Sequence, residues 1–121
     1  MEQTYIDEII AMLDTAKPDE IRVKLEDYHP YEISEALMEL SEENRQRFYQ
    51  IFSGKDISTI IAYLDMEDIL QLFNEMKPRY IVNIIQELEI DDAVDVMQAL
   101  PEEDRVAYLK LMSPSHQEAI K

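Results

Sequence analysis

The stretch EIDDAVDVMQA, residues 89–99, sets three aspartates into a segment whose apolar spacing reads as a helix. Aspartate is a poor helix-interior residue, because its short side chain competes for nearby backbone groups. Asp91 and Asp92 stand where the first helical turn would lie, and there a negative charge meets the helix dipole favourably by about 0.3–1 kcal/mol. Asp95 has no such excuse. It follows Asp91 by four residues, so the two carboxylates share a helix face and repel, and no Lys or Arg occurs between Arg79 and Arg105 to offset them. Paired carboxylates at that spacing are workable oxygen ligands for Mg²⁺, an ion that takes one or two carboxylates and keeps several waters. A plainly solvated acidic face would look the same from spacing alone.

The interval around them is acidic throughout. Glu87, Glu89, Glu102, Glu103 and Asp104 flank the three aspartates, and upstream the segment from Asp56 to Met76 adds Asp56, Asp65, Glu67, Asp68 and Glu75 without a basic residue. This half of the chain is expected to carry a strongly negative face.

The elements that position these groups follow a ruler of twelve. Cut from Tyr5, the chain reads YIDEIIAMLDTA, KPDEIRVKLEDY, HPYEISEALMEL and so on to SPSHQEAIK, with apolar residues recurring at the fifth, eighth, ninth and twelfth places. That is one stripe of an α-helix. The exceptions are Arg45 and Arg105 at fifth places and Lys24 at an eighth. Pro18, Pro30, Pro78 and Pro114 fall at second places, where a helix start tolerates a missing N–H. Ser41, Ser53, Asp65 and Ser113 are placed to cap, and the one glycine, Gly54, sits at a joint where a left-handed C-terminal cap would use it.

Each helix should span about eight or nine residues, roughly 13 Å, too short to persist alone in water. The expectation is an all-α, armadillo-like superhelical solenoid, a right-handed or ring-like stack of about ten short helices spanning residues 1–121 as one domain; a compact irregular bundle is the alternative. The joints break every heptad, which excludes a coiled coil.

Composition bounds the function. One glycine leaves no phosphate-cradling loop, and the absence of cysteine removes disulfides, thiolate metal sites and a cysteine nucleophile. A formal charge of −16 disfavours nucleic acid and anionic membranes and favours cations or basic partners. No apolar run approaches the ~20 residues that span a bilayer, and the start MEQTYIDEII lacks the basic region of a signal peptide. His29 and His116 adjoin helix starts, His29 as a capping or packing residue, and the methionines mostly occupy stripe places. No catalytic constellation is present, so an enzyme is not expected.

The short-helix tandem, with HPYEISEALMEL early and LEIDDAVDVMQALPEEDRVAYLKLM later, resembles the cytosolic N-terminal domain of MgtE-type magnesium transporters over essentially the whole chain. It is similar, more weakly, to the helical modules of the flagellar motor protein FliG. The first resemblance implies a regulatory domain at the cytoplasmic face of the cell membrane, followed by a CBS domain pair and a dimeric pore that lie outside these residues. It further implies that Mg²⁺ held between this domain and the CBS domains closes the pore, with Asp91 and Asp95 as contacting residues and Asp92 beside them. Since half of each site would belong to the partner, binding by this domain alone should be weak. Family members can place a glutamate where this chain has Thr59, which puts that ligand in doubt. The second resemblance implies a metal-independent interaction scaffold.

Overall fold

The computed structural model describes residues 4–120, and among them ten α-helices and no strand. They are α1 (Thr4–Thr15), α2 (Pro18–Leu25), α3 (Pro30–Glu39), α4 (Glu42–Ile51), α5 (Gly54–Ile61), α6 (Met66–Phe73), α7 (Pro78–Glu87), α8 (Ile90–Ala99), α9 (Glu102–Leu111) and α10 (Pro114–Ile120). From α3 onward every helix begins twelve residues after the one before. Ten-residue helices are followed by two-residue joints, and the eight-residue helices α2, α5 and α6 by four-residue ones, so the register survives differences in length. α1 at twelve residues, and α3, α4, α7, α8 and α9 at ten, exceed the expected span of eight or nine.

The stripe is the core. Ile9, Leu13, Ile21, Leu37, Phe48, Ile57, Leu72, Ile81, Ile84 and Ile85 are all nearly or fully buried. The odd-numbered helices form a continuous row, with α1 packed on α3, α3 on α5, α5 on α7 and α7 on α9, while α4 lies against α1 and α10 against α8. The result is a solenoid, in which each short helix is stabilised by neighbours rather than by its own propensity.

Polar ties reinforce this register, several of them thirty residues long. Tyr5 bonds Glu35, Asn44 donates to Asp14 at 2.6 Å, Arg45 pairs with Glu75, and His116 Nε2 meets the Gln86 carbonyl at 3.1 Å. His116 is thereby tied to α7. His29 caps α3 as expected: Nδ1 accepts from the Tyr31 N–H at 3.0 Å while Glu32 reaches back to the His29 N–H at 2.9 Å. Ser41 and Ser53 cap α4 and α5, and Ser113 Oγ accepts from the His116 N–H; Asp65 makes no side-chain cap.

Gly54 differs from its expected role. It is the first residue of α5, capped by Ser53, and its φ is not positive. The glycine is required because α5 and α7 approach closely. A Cβ there would stand 2.9 Å from Asn83 Cβ and 3.1 Å from the Ile84 nitrogen, atoms fixed to the α7 backbone. Alanine would gain about 0.5–1 kcal/mol of helix propensity, but overpacking a rigid contact costs about 1–3 kcal/mol. Gly54→Ala is expected to destabilise by about 1 kcal/mol net, read as a lower urea midpoint with unchanged slope.

Between α4 and α7 the rings of Tyr49 and Tyr80 lie 5.9 Å apart, and the Tyr80 hydroxyl donates to the Phe52 carbonyl at 2.7 Å. Burial, and then the Glu75 carboxylate, push the Tyr49 hydroxyl well above the ordinary tyrosine value; burial and then Asp56 do the same to Tyr80. The neutral phenols are the form the fold prefers, so their contribution is complete below about pH 10, the unfolded value, and is lost as pH climbs toward the raised folded values. The last phenolate absorbance to appear above pH 10 should therefore rise together with helix loss, and in Tyr49→Phe/Tyr80→Phe that late phase should shrink; a late phase unchanged in the double variant would contradict it.

Candidate functional site

Helix α8 forms because Ala93, Val96, Met97 and the following Leu100 place one apolar side inward, 1–8% exposed. Asp91, Asp92 and Asp95 are consequently all turned to solvent. Asp91 and Asp92 do occupy the first turn, and the N-cap residue Glu89 offers no side-chain cap, so these charges face unsatisfied N–H groups of the helix end. Asp95 lies beyond that turn.

Among the described residues, the ion pairs are Arg22–Asp56 at 4.0 Å, on the surface, and Arg45–Glu75. Neither involves α8, and no hydrogen bond to the three aspartate side chains is formed by a described residue. Their charge is uncompensated at close range, as the basic-free interval requires.

The structure refines which aspartates face the same space. A shallow cleft of ≈120 Å³ opens between the end of α5, α6 and α8, with Ile61, Leu64, Met66 and Ile69 on its apolar side and Asp92 and Asp95 on the other. Asp91 does not line it. Thr59 lies on a different cleft, beside Arg22 and Phe52, and its hydroxyl donates to the Asp56 carbonyl at 2.8 Å. The Thr59 position and the α8 pair thus do not share a cleft.

The upstream acidic interval is less uniform than its composition suggests. Glu75 is not a surface charge. Its side chain is 12% exposed and receives Arg45 Nε at 2.9 and 3.0 Å, a further bond from Arg45 Nη2, and the Tyr49 hydroxyl at 3.0 Å. Gln46 also donates to the Glu75 carbonyl at 2.8 Å, and Arg45 Nη1 to the Leu40 carbonyl at 2.6 Å. Asp56 is committed to the capping box with Ser53. The exposed carboxylates without a close basic partner include Asp91, Asp92 and Asp95 of α8, Glu67 of α6 and Glu102 and Glu103 of α9. The Arg45–Glu75 cluster left one trace in the sequence, an arginine at a stripe place, but its partner is visible only once the thirty-residue spacing is known.

Among the described residues, no group of three or more His, Asp or Glu side chains is arranged to hold a metal ion. The donor set at the cleft is two carboxylates, hard oxygens that suit Mg²⁺ when water or another protein surface completes the shell.

Fold and site together define an α-solenoid whose helix α8 carries acidic side chains without a close basic partner among the described residues. The model of the MgtE intracellular N domain matches residues 28–121, and the chain belongs to that family. A crystal structure of the soluble part of a magnesium transporter is similar to it at 25% identity with a TM-score of 0.86, over 99% of this chain and 48% of that one. The chain thus spans about half the length of that soluble part. No curated protein sequence matches it. Among the described residues no helix is long and apolar enough to cross a membrane.

Proposed function

We propose that this chain is a regulatory, non-catalytic domain of a magnesium transporter, at the cytoplasmic face of the membrane, that senses Mg²⁺ through the carboxylates of α8. Mg²⁺ would be held by Asp92 and Asp95, with Asp91 beside them, and by oxygens of a CBS domain pair on the same polypeptide. In the dimeric transporter the bridged arrangement closes the pore. When bound, the ion supplies a double positive charge that offsets repulsion between two acidic surfaces. What this chain contributes is the fixed presentation: the Ala93–Val96–Met97 side anchors α8, so the aspartates point to solvent without a competing cation. A ligand shifts an equilibrium only by its differential affinity for the two states, and half a ligand set on each surface gives that difference.

The observation that carries this reading is the uncompensated Asp92–Asp95 pair on a chain of the MgtE N-domain family. A metal-independent scaffold of the FliG type is the second reading, and the first is favoured because a scaffold has no use for that pair. Association of the chain with its CBS pair, followed by analytical ultracentrifugation, separates them. The proposal expects association in millimolar Mg²⁺ and dissociation on chelation. Equal association in both conditions would favour the scaffold.

A further inference from the structure

A cavity of ≈280 Å³ opens where the end of α6 faces the joint between α8 and α9. Leu70, Phe73, Leu100 and Tyr108 give it apolar and aromatic walls, and Asn74 and Asp104 bring polar groups to them. It shares no residue with the acidic cleft. Among the described residues nothing forms an ion pair or hydrogen bond with the Asp104 or Tyr108 side chain, and nothing donates to the Ala99 carbonyl at the end of α8. Burial, and then the Asp104 carboxylate, push the Tyr108 hydroxyl above the ordinary tyrosine value, so these two groups lie within electrostatic reach.

The repeat shows what this place holds elsewhere. The sixth residue of the unit is Arg22 in α2, Gln46 in α4 and Leu70 in α6, and the eleventh residue two units later is Ile51, Glu75 and Ala99 in turn. Arg22 Nη2 donates to the Ile51 carbonyl, and Gln46 Nε2 to the Glu75 carbonyl at 2.8 Å. Leu70 has nothing to donate, and the third carbonyl of the series goes unmet.

Four units separate Arg22 from Leu70, an even number, so each element has its counterpart in the same row: α2 in α6, α4 in α8 and α5 in α9. At the first site the half-exposed guanidinium also stands over the Phe52 ring, 5.5 Å from its centroid, with Nη1 4.0 Å from Asp56. Phe52 corresponds to Leu100 and Asp56 to Asp104, while Phe73 and Tyr108, in place of Leu25 and Ile60, move the aromatic surface to other walls. One difference frees the carboxylate. Asp56 is tied to the Ser53 N–H in a capping box, but the counterpart of Ser53 is Pro101, which has no N–H to give.

We propose that this cavity is a binding site for a guanidinium group supplied from outside the chain, taking the place that Arg22 takes beside α4 and α5. The planar fork donates to the Ala99 carbonyl and to Asp104, and its face lies against an aromatic wall. An ammonium, compact and strongly hydrated, fits that wall less well.

Ethylguanidinium titrated into the isotope-labelled chain at low ionic strength is expected to bind saturably at millimolar concentration, with amide shifts centred on Leu70, Asn74, Leu100 and Tyr108. Asp104→Asn should weaken it by about tenfold, the loss expected for a charge-assisted bond. Leu70→Arg should abolish it by supplying the guanidinium from within, as α2 does. Circular dichroism checks that both variants are helical, and if Leu70→Arg unfolds, Asp104→Asn alone decides. Ethylammonium should bind several-fold more weakly. Acetyl-arginine amide separates the sources: binding tighter than that of ethylguanidinium assigns the site to an arginine of a protein segment, and equal or weaker binding to a small guanidinium compound. The proposal is overturned if nothing binds at high millimolar concentration, if the folded variants keep the parent affinity, or if ethylammonium binds equally. Shifts centred on Asp91, Asp92 and Asp95 would also overturn it, since the cation would then be drawn to α8 alone.

Discussion

Replacing Glu75 by alanine is expected to lower the stability of the fold by about 3 kcal/mol, the lower end of the cost of leaving one member of a buried ion pair unmatched. The cost arises from what stays behind. Arg45 is 13% exposed and would keep only its bond to the Leu40 carbonyl, while the buried Tyr49 hydroxyl would lose its acceptor. The link between the end of α6 and α4, made by three Arg45–Glu75 contacts, would go with it. Urea unfolding followed by circular dichroism measures the loss. The double change Arg45→Met/Glu75→Leu should recover much of it, because replacing a buried pair by apolar groups of similar volume is often close to neutral. A loss below about 1 kcal/mol for Glu75→Ala, the ordinary value for an exposed pair, would mean that the cluster is effectively solvated.

The largest functional effect is expected from Asp92→Asn/Asp95→Asn. Both side chains are exposed and unpaired, so the substitution should leave helix content and urea midpoint nearly unchanged. It should nevertheless raise the Mg²⁺ concentration that holds this chain to its CBS pair by at least about tenfold, each charged ligand being worth roughly 1.5–3 kcal/mol. Asp91→Asn alone should act more weakly, because Asp91 does not line the cleft. Low ionic strength should exaggerate the difference, since exposed charges are screened within about 10 Å at 0.1 M salt. Equal Mg²⁺ dependence of the double variant and the parent would remove α8 from the account.

How much of this the sequence carried depends on whether a feature is local. The apolar places of the twelve-residue unit are local, and residues such as Ile57, Leu72, Ile84 and Ile85 are buried where the stripe puts them. The helix starts at Pro18, Pro30, Pro78 and Pro114 are local too, fixed by the proline ring. The acidic face was legible because no lysine or arginine lies nearby in the chain. Gly54 was misread because its reason is Asn83, a residue twenty-nine positions away on a helix whose approach no local pattern reveals. Glu75 looked like one more surface charge for the same reason: Arg45 reaches it across the stack. Which of Asp91 and Asp92 joins Asp95 at the cleft depends on the rotation of α8 about its axis. Spacing supplies both the i, i+3 and the i, i+4 pair, and the seating of α8 on α7 and α10 turns Asp92 to the cleft.

The account rests on α8 supplying half of a Mg²⁺ site, and amide-shift titration of the isolated chain with MgCl₂ tests that most directly. It predicts fast-exchange shifts centred on Asp92 and Asp95, saturating only at millimolar Mg²⁺ and absent in Asp92→Asn/Asp95→Asn. Micromolar binding that survives in the variant, or shifts centred elsewhere on the solenoid, would contradict it.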